Sequence, residues 1–223
     1  FNAWGDRPIE GPYGVWFDGD WNKPRLDDPA IQKGLSDYAG LMQAGPSDIL
    51  SYNWNEAGNA FCNGQAAFFA DASLFGPWLE SDDCPISKDN TGYMALPPQK
   101  KGGTSYTANW QWGIGMGANA QEKDAGWYFI QYMTNKSSEP KIGTYHGGAG
   151  RLSTWENDEY TSTLNSDYVS ATLESMKTVR TSVVPVKDFN KYALEVMDVI
   201  LRIHAGESSE AATAEGNKNF KNM

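Results

Sequence analysis

Five side chains of this sequence have the chemistry of a site for a polyhydroxylated solute. Asp71 carries a carboxylate that can accept hydrogen bonds from hydroxyl groups, and Arg151 carries a planar cation that can donate to hydroxyl oxygens. Trp110, Trp112 and Trp78 offer flat apolar faces against which the C–H surfaces of a sugar or a sugar alcohol can stack. Together these groups predict binding by aromatic stacking and by charged hydrogen bonds.

Each of these side chains also has a structural interpretation that the sequence leaves open. Asp71 can cap the turn that follows it, and Arg151 can be a solvated surface cation. Each tryptophan can belong to the core, although nine tryptophans in 223 residues exceed what a core needs, because a buried indole N–H requires a hydrogen-bond partner. The binding hypothesis depends on the convergence of these groups.

Composition removes several other classes of function. A net charge of −10 and a pI of about 4.6 argue against a nucleic-acid partner and against an anionic membrane surface. Two histidines and two cysteines are too few for most metal sites and Cys/His catalytic schemes. The glycine-rich run at 113–117 is flanked by tryptophan inside a strand-like segment, so it is a poor phosphate loop. We therefore expect no cofactor and no metal.

The alternative class is a carbohydrate-active enzyme domain, or an accessory carbohydrate-binding module. Glycoside hydrolysis needs two carboxylates held at about 5 to 9 Å. The acid pairs Asp27–Asp28 and Asp82–Asp83 lie in polar loops, where solvated surface is expected. No GxSxG or HExxH motif is present either. We therefore predict that the chain is not an enzyme.

The segment around Asp71 is expected to position it. A short helix over 55–63 precedes an apolar run, Ala66–Ala70, whose length and composition predict a buried strand ending at Asp71. A second helical piece, over 76–81, has Pro77 near its start. A carboxylate at the carboxyl end of a strand, beside a helix start, lies where open α/β sheets bind ligands. Cys62 and Cys84 bracket this segment, and either a disulfide or two buried thiols is compatible with the sequence.

Two further strands and a helix are expected to carry the tryptophans. Gly92–Leu96 reads as a strand, and alternation over Ala108–Ala118 predicts a strand with Trp110 and Trp112 on one face. A helix over 121–135 is predicted to have a buried stripe that includes Trp127, Ile130 and Met133. The run 146–151 is predicted to be a loop, and 183–186 an extended crossing.

Three other helices are predicted by their caps and by apolar periodicity. Asp27 or Asp28, followed by Pro29, starts a helix whose inward face holds Ile31, Leu35, Tyr38 and Leu41 or Met42. An amphipathic helix runs over 188–204 and stops at Gly206, and Ser208 or Ser209 caps the last one. Residues 1–25, with Tyr13 among their aromatics, are predicted to form a loop with short extended pieces.

Several motifs in this order resemble the extracellular solute-binding proteins of ABC transporters, and most closely the branch for sugar alcohols such as mannitol, sorbitol and arabitol. The resemblance covers nearly everything from Trp16 onward. The motifs are WFDGDWNKPRLDDPA at 16–30, FCNGQAAFFADAS at 61–73, GYMALPP at 92–98, NWQWGIGMGANAQEKDAGWYFIQYMTNK at 109–136 and GRLSTWEN at 150–157. Two segments depart from the family pattern, the approach to Arg151 at 146–149 and an insertion over 6–14.

The resemblance implies an α/β fold of the type II periplasmic-binding-protein class. It implies a helix-rich C-terminal lobe with a segment of the N-terminal lobe, the N-terminal half of the family fold being absent. Residues 1–96 are then the first part of the C-terminal lobe, 97–143 the segment that crosses to the N-terminal lobe, and 144–223 the closing helices. Asp71, Trp110, Trp112 and Arg151 match residues that line the family's interlobe cleft, and Trp78 matches an aromatic position.

The same resemblance implies a role in transport. It implies that the protein captures a sugar alcohol or small carbohydrate, delivers it to membrane permease subunits and has an extracytoplasmic location, either periplasmic or anchored as a lipoprotein. The missing N-terminal lobe is an expected partner, and without it the cleft should be open or half formed. The resulting exposed apolar surface should favour oligomerisation or rearrangement.

Overall fold

The computed structural model describes residues 1–9, 11, 14–146, 148–181 and 185–223, without the side chains of 145 and 146. In these ranges the helices and strands are α1 Pro29–Gln43, α2 Trp54–Cys62, α3 Gly76–Leu79, β1 Thr107–Asn109, α4 Lys123–Thr134, α5 Glu139–His146, α6 Leu152–Trp155, α7 Asp158–Thr161, α8 Ser166–Met176, β2 Val179–Thr181, α9 Phe189–His204 and α10 Ser209–Lys221. The predictions for Tyr13, for Gly147 and for Val183 and Val184 lie outside the described residues.

The chain divides into two compact units. The first unit comprises Phe1–Tyr52, Leu96–Trp110 and Thr178–Met223, and the second comprises Asn53–Ala95 and Gln111–Lys177. The division separates Trp110, in the first unit, from Trp112, in the second.

The first unit is built on the helices α1, α9 and α10. Its core is formed by aromatic and aliphatic side chains from the loop at 1–26 and from these helices: Trp4, Phe17, Leu26, Ile31, Tyr192, Val196 and Phe220. The predicted caps are confirmed, because the Asp28 side chain accepts from the N–H of Ala30 and the Ser208 side chain from that of Ala211. Of the predicted inward face of α1, Ile31 is buried and Leu35 and Met42 are half-buried. Tyr38 is exposed, as is Leu41, the alternative to Met42, and the short side chain of Ala39 is buried.

A short parallel strand pair completes the first unit. β1 lies beside β2, with Thr107 opposite Val179 and Asn109 opposite Thr181. The predicted strand over Ala108–Ala118 is therefore wrong beyond Asn109, and the side chains from there to Ala118 are exposed. Glycines alternate through 113–117, and glycine weakens a strand that has no neighbour to hold it.

The second unit contains two small cores. One joins Cys62, Phe75, Leu79 and Cys84, and the other joins Ala149, Trp155, Tyr160 and Tyr168. The predicted buried strand at Ala66–Ala70 is wrong, since this run is irregular and Phe68 is 91% exposed. The predicted strand at Gly92–Leu96 is also unpaired in the structure. A strand requires a hydrogen-bonded neighbour, and apolar composition alone does not supply one.

Helix α4 forms where the sequence predicts a helix, but its predicted buried stripe is wrong. None of its residues is buried. Trp127, Tyr128, Phe129 and Tyr132 are each more than half exposed. One of its contacts is with Met116, since a Cβ on Gly126 would lie 2.8 Å from the Met116 sulfur. The helix therefore presents an aromatic surface that the second unit does not cover.

Candidate functional site

Asp71 lies in the irregular segment between α2 and α3, immediately before a short helical turn at Ser73–Phe75. Its Oδ1 accepts two hydrogen bonds, one from the backbone N–H of Ala72 at 2.6 Å and one from the indole N–H of Trp54 at 2.7 Å. The residue is exposed, and its Oδ2 makes no hydrogen bond to any described residue. A carboxylate oxygen with open lone pairs can accept from the hydroxyl groups of a solute.

Aromatic rings support this acid from one side. The ring of Trp54 meets that of Phe75 edge to face, with the centroids 4.8 Å apart. The ring of Phe75 also contacts Trp78 at 5.8 Å. Gly58, one turn after Trp54 on α2, permits this packing, because a Cβ there would lie 2.9 Å from the Phe75 ring. The Asp71 carboxylate is thus hydrogen-bonded to one member of a packed aromatic cluster.

Trp78 belongs mainly to that cluster. It is half-buried and packs against the core of Cys62, Phe75, Leu79 and Cys84. Cys62 and Cys84 form a disulfide, which is one of the two alternatives that the sequence left open. The disulfide closes the segment that carries Asp71 and Trp78, and so limits the conformations available to it.

Arg151 is exposed and caps the C-terminal end of α4. Its Nε and Nη2 both donate to the carbonyl of Thr134, at 2.9 and 2.6 Å. Glu139 fixes the adjoining loop, because its Oε1 accepts from the N–H of Gly150 and its Oε2 from the hydroxyl of Thr154. Two of the five guanidinium N–H groups are therefore occupied, and Nη1 makes no hydrogen bond to a described residue.

The loop before Arg151 approaches the segment after Asp71. A Cβ on Gly148 would lie 3.3 Å from the Cβ of Leu74. Gly148 has φ +63°, a backbone conformation that residues with a side chain rarely adopt. Leu74 follows Asp71 by three residues, and Gly148 precedes Arg151 by three. The structure therefore brings these two parts of the predicted site into one region of the second unit.

The remaining predicted residues are the two tryptophans of the glycine-rich run. Trp110 is 64% exposed and follows β1 in the first unit, whereas Trp112 is 82% exposed and lies in the second. Neither ring belongs to a core cluster of the described residues. Both rings are thus available for stacking in the structure.

Trp54 is a candidate that the sequence interpretation missed. The pattern Asn53–x–x–Glu56 is a capping box, and it identifies Trp54 as the first residue of α2, at the exposed end of a helix. That signal was present in the sequence. Its contact with Asp71 was not, because the two residues are 17 positions apart and meet only through tertiary packing.

A small polar cavity of about 180 Å³ lies next to this region in the second unit. Glu80, Asn165, Thr144 and Tyr168 are among its lining residues, and the Asn165 amide donates to Glu80 at 3.1 Å. Burial raises the pKa of the Tyr168 hydroxyl. Burial, together with the nearby Glu80 carboxylate, raises the pKa of the Tyr93 hydroxyl, which donates to the carbonyl of Gly76. Both phenols are therefore neutral at physiological pH.

Within the described ranges, no three His, Cys, Asp or Glu side chains are grouped so that they could hold a metal ion. The helices in those ranges also lack the length and apolar character needed to cross a membrane.

Comparison with known proteins places these features in a family context. Residues 2–140 match the family model described as bacterial extracellular solute-binding protein. The mannitol-binding protein of Pseudomonas aeruginosa is 27% identical over 186 residues, which are 80% of this chain and 39% of that protein.

Solved structures show the same fold. An ABC transporter solute-binding protein from Agrobacterium radiobacter K84, in complex with ribitol, superposes with a TM-score of 0.77 at 21% identity, over 96% of this chain and 57% of that one. A solute-binding protein from Thermotoga lettingae TMO, bound with α-D-tagatose, gives a TM-score of 0.69 at 16% identity, over 99% and 53%.

The chain thus spans little more than half the length of these structural relatives. Its helix-rich, strand-poor architecture corresponds to part of a periplasmic-binding-protein fold, as the resemblance implied. The matching model describes solute-binding proteins and not enzymes. The family model matches more than half of the residues of this chain. The chain therefore belongs to the family of bacterial extracellular solute-binding proteins.

Proposed function

We propose that this chain is the substrate-binding component of an ABC importer and that it captures a sugar alcohol or small carbohydrate in an interlobe cleft. Asp71 accepts hydrogen bonds from solute hydroxyls, Trp110 and Trp112 stack on C–H faces, and Arg151 donates to hydroxyl oxygens. Trp78 supports the site from the aromatic cluster. The solute is then delivered to permease subunits in the membrane, at an extracytoplasmic location that is periplasmic or lipoprotein-anchored.

The observation that carries this proposal is the state of Asp71. One of its carboxylate oxygens is fixed by Trp54 and Ala72, and the other is exposed and unpaired among the described residues. A fixed acceptor beside an aromatic ring suits a ligand that has hydroxyl groups and C–H faces. The relatives' ligands, mannitol, ribitol and tagatose, have both features.

The assignment of segments to lobes is part of the proposal. Residues 1–96 and 144–223 would belong to the C-terminal lobe, and 97–143 to the crossing segment. The share of the relatives' length that the chain does not span would supply the rest of the N-terminal lobe and the other wall of the cleft.

Equilibrium dialysis tests the proposal. The panel contains ribitol, D-mannitol, D-sorbitol, D-arabitol, D-tagatose and a nitrophenyl glycoside, with neutral amino acids as control solutes. It is applied to the 223-residue chain and to a chimera completed by the unaligned residues of the Pseudomonas aeruginosa relative. We expect retention of at least one sugar alcohol by the chimera, stoichiometric and chemically unchanged. Retention of none of the panel by either protein, or conversion of a glycoside by them, would contradict the proposal.

A further inference from the structure

We propose that Trp54 is a further recognition residue of this site, acting both as the positioning group for Asp71 and as a stacking surface for the solute. The inference rests on the proposed function and adds a residue that neither the motifs nor the sequence interpretation assigned.

The backbone of Trp54 is held by the capping box of α2. The Asn53 side chain accepts from the N–H of Trp54 at 2.7 Å, and the Glu56 carboxylate accepts from the N–H of Asn53 at 3.0 Å. Both halves of the box are formed. The ring therefore projects from a fixed helix terminus and not from a loose loop.

Only part of the Trp54 ring packs against other side chains of the protein. Phe75 contacts it edge to face, and Phe75 itself is buried. Trp54 nevertheless remains 40% exposed. A structural tryptophan of the second unit contrasts with it: Trp155 is 2% exposed and donates its indole N–H to the carbonyl of Ala149. Trp54 instead donates to a carboxylate that is itself exposed.

The bond to Asp71 determines what the acid can do. A charged acceptor makes a stronger hydrogen bond than a neutral one, so the indole holds Oδ1 and fixes the plane of the carboxylate. Oδ2 then has a defined direction beside the exposed ring. A ligand that donates a hydroxyl to Oδ2 places the carbon bearing that hydroxyl close to the Trp54 ring.

This arrangement selects a chemical class. The pair favours solutes in which a hydroxyl donor is next to a C–H face, as in an open-chain polyol. A solute lacking that hydroxyl cannot make the hydrogen bond to Oδ2, and a hydrogen bond to a charged acceptor is stronger than one to a neutral acceptor. Trp54 is therefore expected to influence which solute binds, and not only how stable the second unit is.

Calorimetric titration with the best-binding sugar alcohol of the panel tests the inference, on whichever form of the chain binds it. Trp54→Phe keeps an aromatic face, although a smaller one, and removes the N–H donor. We expect about tenfold weaker binding, corresponding to one hydrogen bond to a charged group. Trp21→Phe is the matched control, an exposed tryptophan of the first unit, and should bind as the wild type does. In an Asp71→Asn background the effect of Trp54→Phe should shrink, because coupled residues are not additive.

A spectroscopic readout keeps the test independent of how well the variants fold. In a proton–nitrogen correlation spectrum of the wild type, addition of the same sugar alcohol should shift the indole N–H signal of Trp54 and leave that of Trp21 in place. Equal binding by wild type and Trp54→Phe, or an unmoved Trp54 signal at saturation, would overturn the inference while the proposed function stands. If the wild type binds no sugar alcohol, the proposed function fails and the inference fails with it.

Discussion

The indole N–H of Trp54 lies 2.7 Å from Oδ1 of Asp71. This bond couples the first residue of a helix to an exposed acid 17 positions further along the chain. It leaves the second carboxylate oxygen unpaired among the described residues and places it next to a half-exposed ring. A site that recognises hydroxyl groups needs this combination of a fixed acceptor and an apolar face.

Close packing at Gly76 predicts a destabilising variant beside the site. A Cβ at this position would lie 2.3 Å from the ring of Tyr168. Gly76→Ala should therefore lower the free energy of unfolding by about 1 to 3 kcal/mol, measured by urea denaturation. Gly40→Ala is the matched control, because no atom lies within 4 Å of a Cβ there. It should stabilise α1 by up to about 1 kcal/mol. An unchanged free energy of unfolding in Gly76→Ala would show that Tyr168 does not pack against Gly76.

The disulfide predicts sensitivity of the second unit to reduction. The bond between Cys62 and Cys84 closes a loop with a sequence separation of 22, and such a cross-link contributes about 3 kcal/mol, largely through the unfolded state. Reduction should lower the melting temperature of the wild type. The double variant Cys62→Ser/Cys84→Ser should have the melting temperature of the reduced wild type, and the reductant should not change it. Identical melting of the oxidised and reduced wild type would argue against the bond.

The ion pair at the start of α1 predicts a pH dependence of stability. Hydrogen bonding to Arg7, together with the N–H of Ala30, holds the pKa of Asp28 below its ordinary value. A group whose pKa is lower in the folded state stabilises the fold above its ordinary pKa, and that contribution is lost as pH falls through the folded-state value. The first unit should therefore lose stability below about pH 4.

Asp28→Asn removes the negative charge that pairs with Arg7 and keeps a side chain that can cap α1. Asparagine caps helices about as well as aspartate, so the loss at neutral pH should not exceed about 1 kcal/mol, the value of an exposed ion pair. The acid-induced loss should become shallower than in the wild type. Parallel pH profiles for the two proteins, measured by thermal denaturation between pH 3 and pH 7, would contradict the role of the Arg7 pair.

The exposed face of α4 predicts self-association of the 223-residue chain. Ala125, Tyr128, Phe129 and Tyr132 form one stripe at helical spacing, and all are exposed. Three of the four are aromatic residues that are each more than half exposed, and a cluster of exposed apolar side chains of this kind marks an interaction surface.

Sedimentation at increasing concentration measures this association. We expect a reversible monomer–dimer equilibrium that Tyr128→Glu weakens, because it places a charge in the stripe. Lys123→Glu, at the N-terminal end of α4 and outside the stripe, is the control and should have a smaller effect. A monomer at all concentrations would contradict the prediction.

The features that local chemistry determines were predictable from the sequence. Asp28 and Ser208 cap their helices as expected, and Tyr192, Val196 and Val199 are buried on α9. Helical periodicity and capping act over one or two turns, so a single sequence contains them.

What depended on distant partners was not predictable. The run at Ala66–Ala70 has the composition of a buried strand, but no strand is paired with it. The aromatic residues of α4 have no core to enter. The motifs predicted Asp71 and Arg151 as site residues. They did not predict that Trp54 donates to the Asp71 carboxylate or that the carbonyl of Thr134 accepts from two nitrogens of Arg151.

The most direct test of the account is a thermal shift of the chimera with its best-binding sugar alcohol. At about 100 times the dissociation constant, the ligand should add about 2.7 kcal/mol of stability. The account predicts that this shift is lost in Asp71→Ala and in Trp112→Ala and retained in Asp82→Ala, an exposed acid of the same unit whose carboxylate pairs with Lys88. An undiminished shift in Asp71→Ala would contradict the account, because the solute would then bind without the acid on which the proposed site depends.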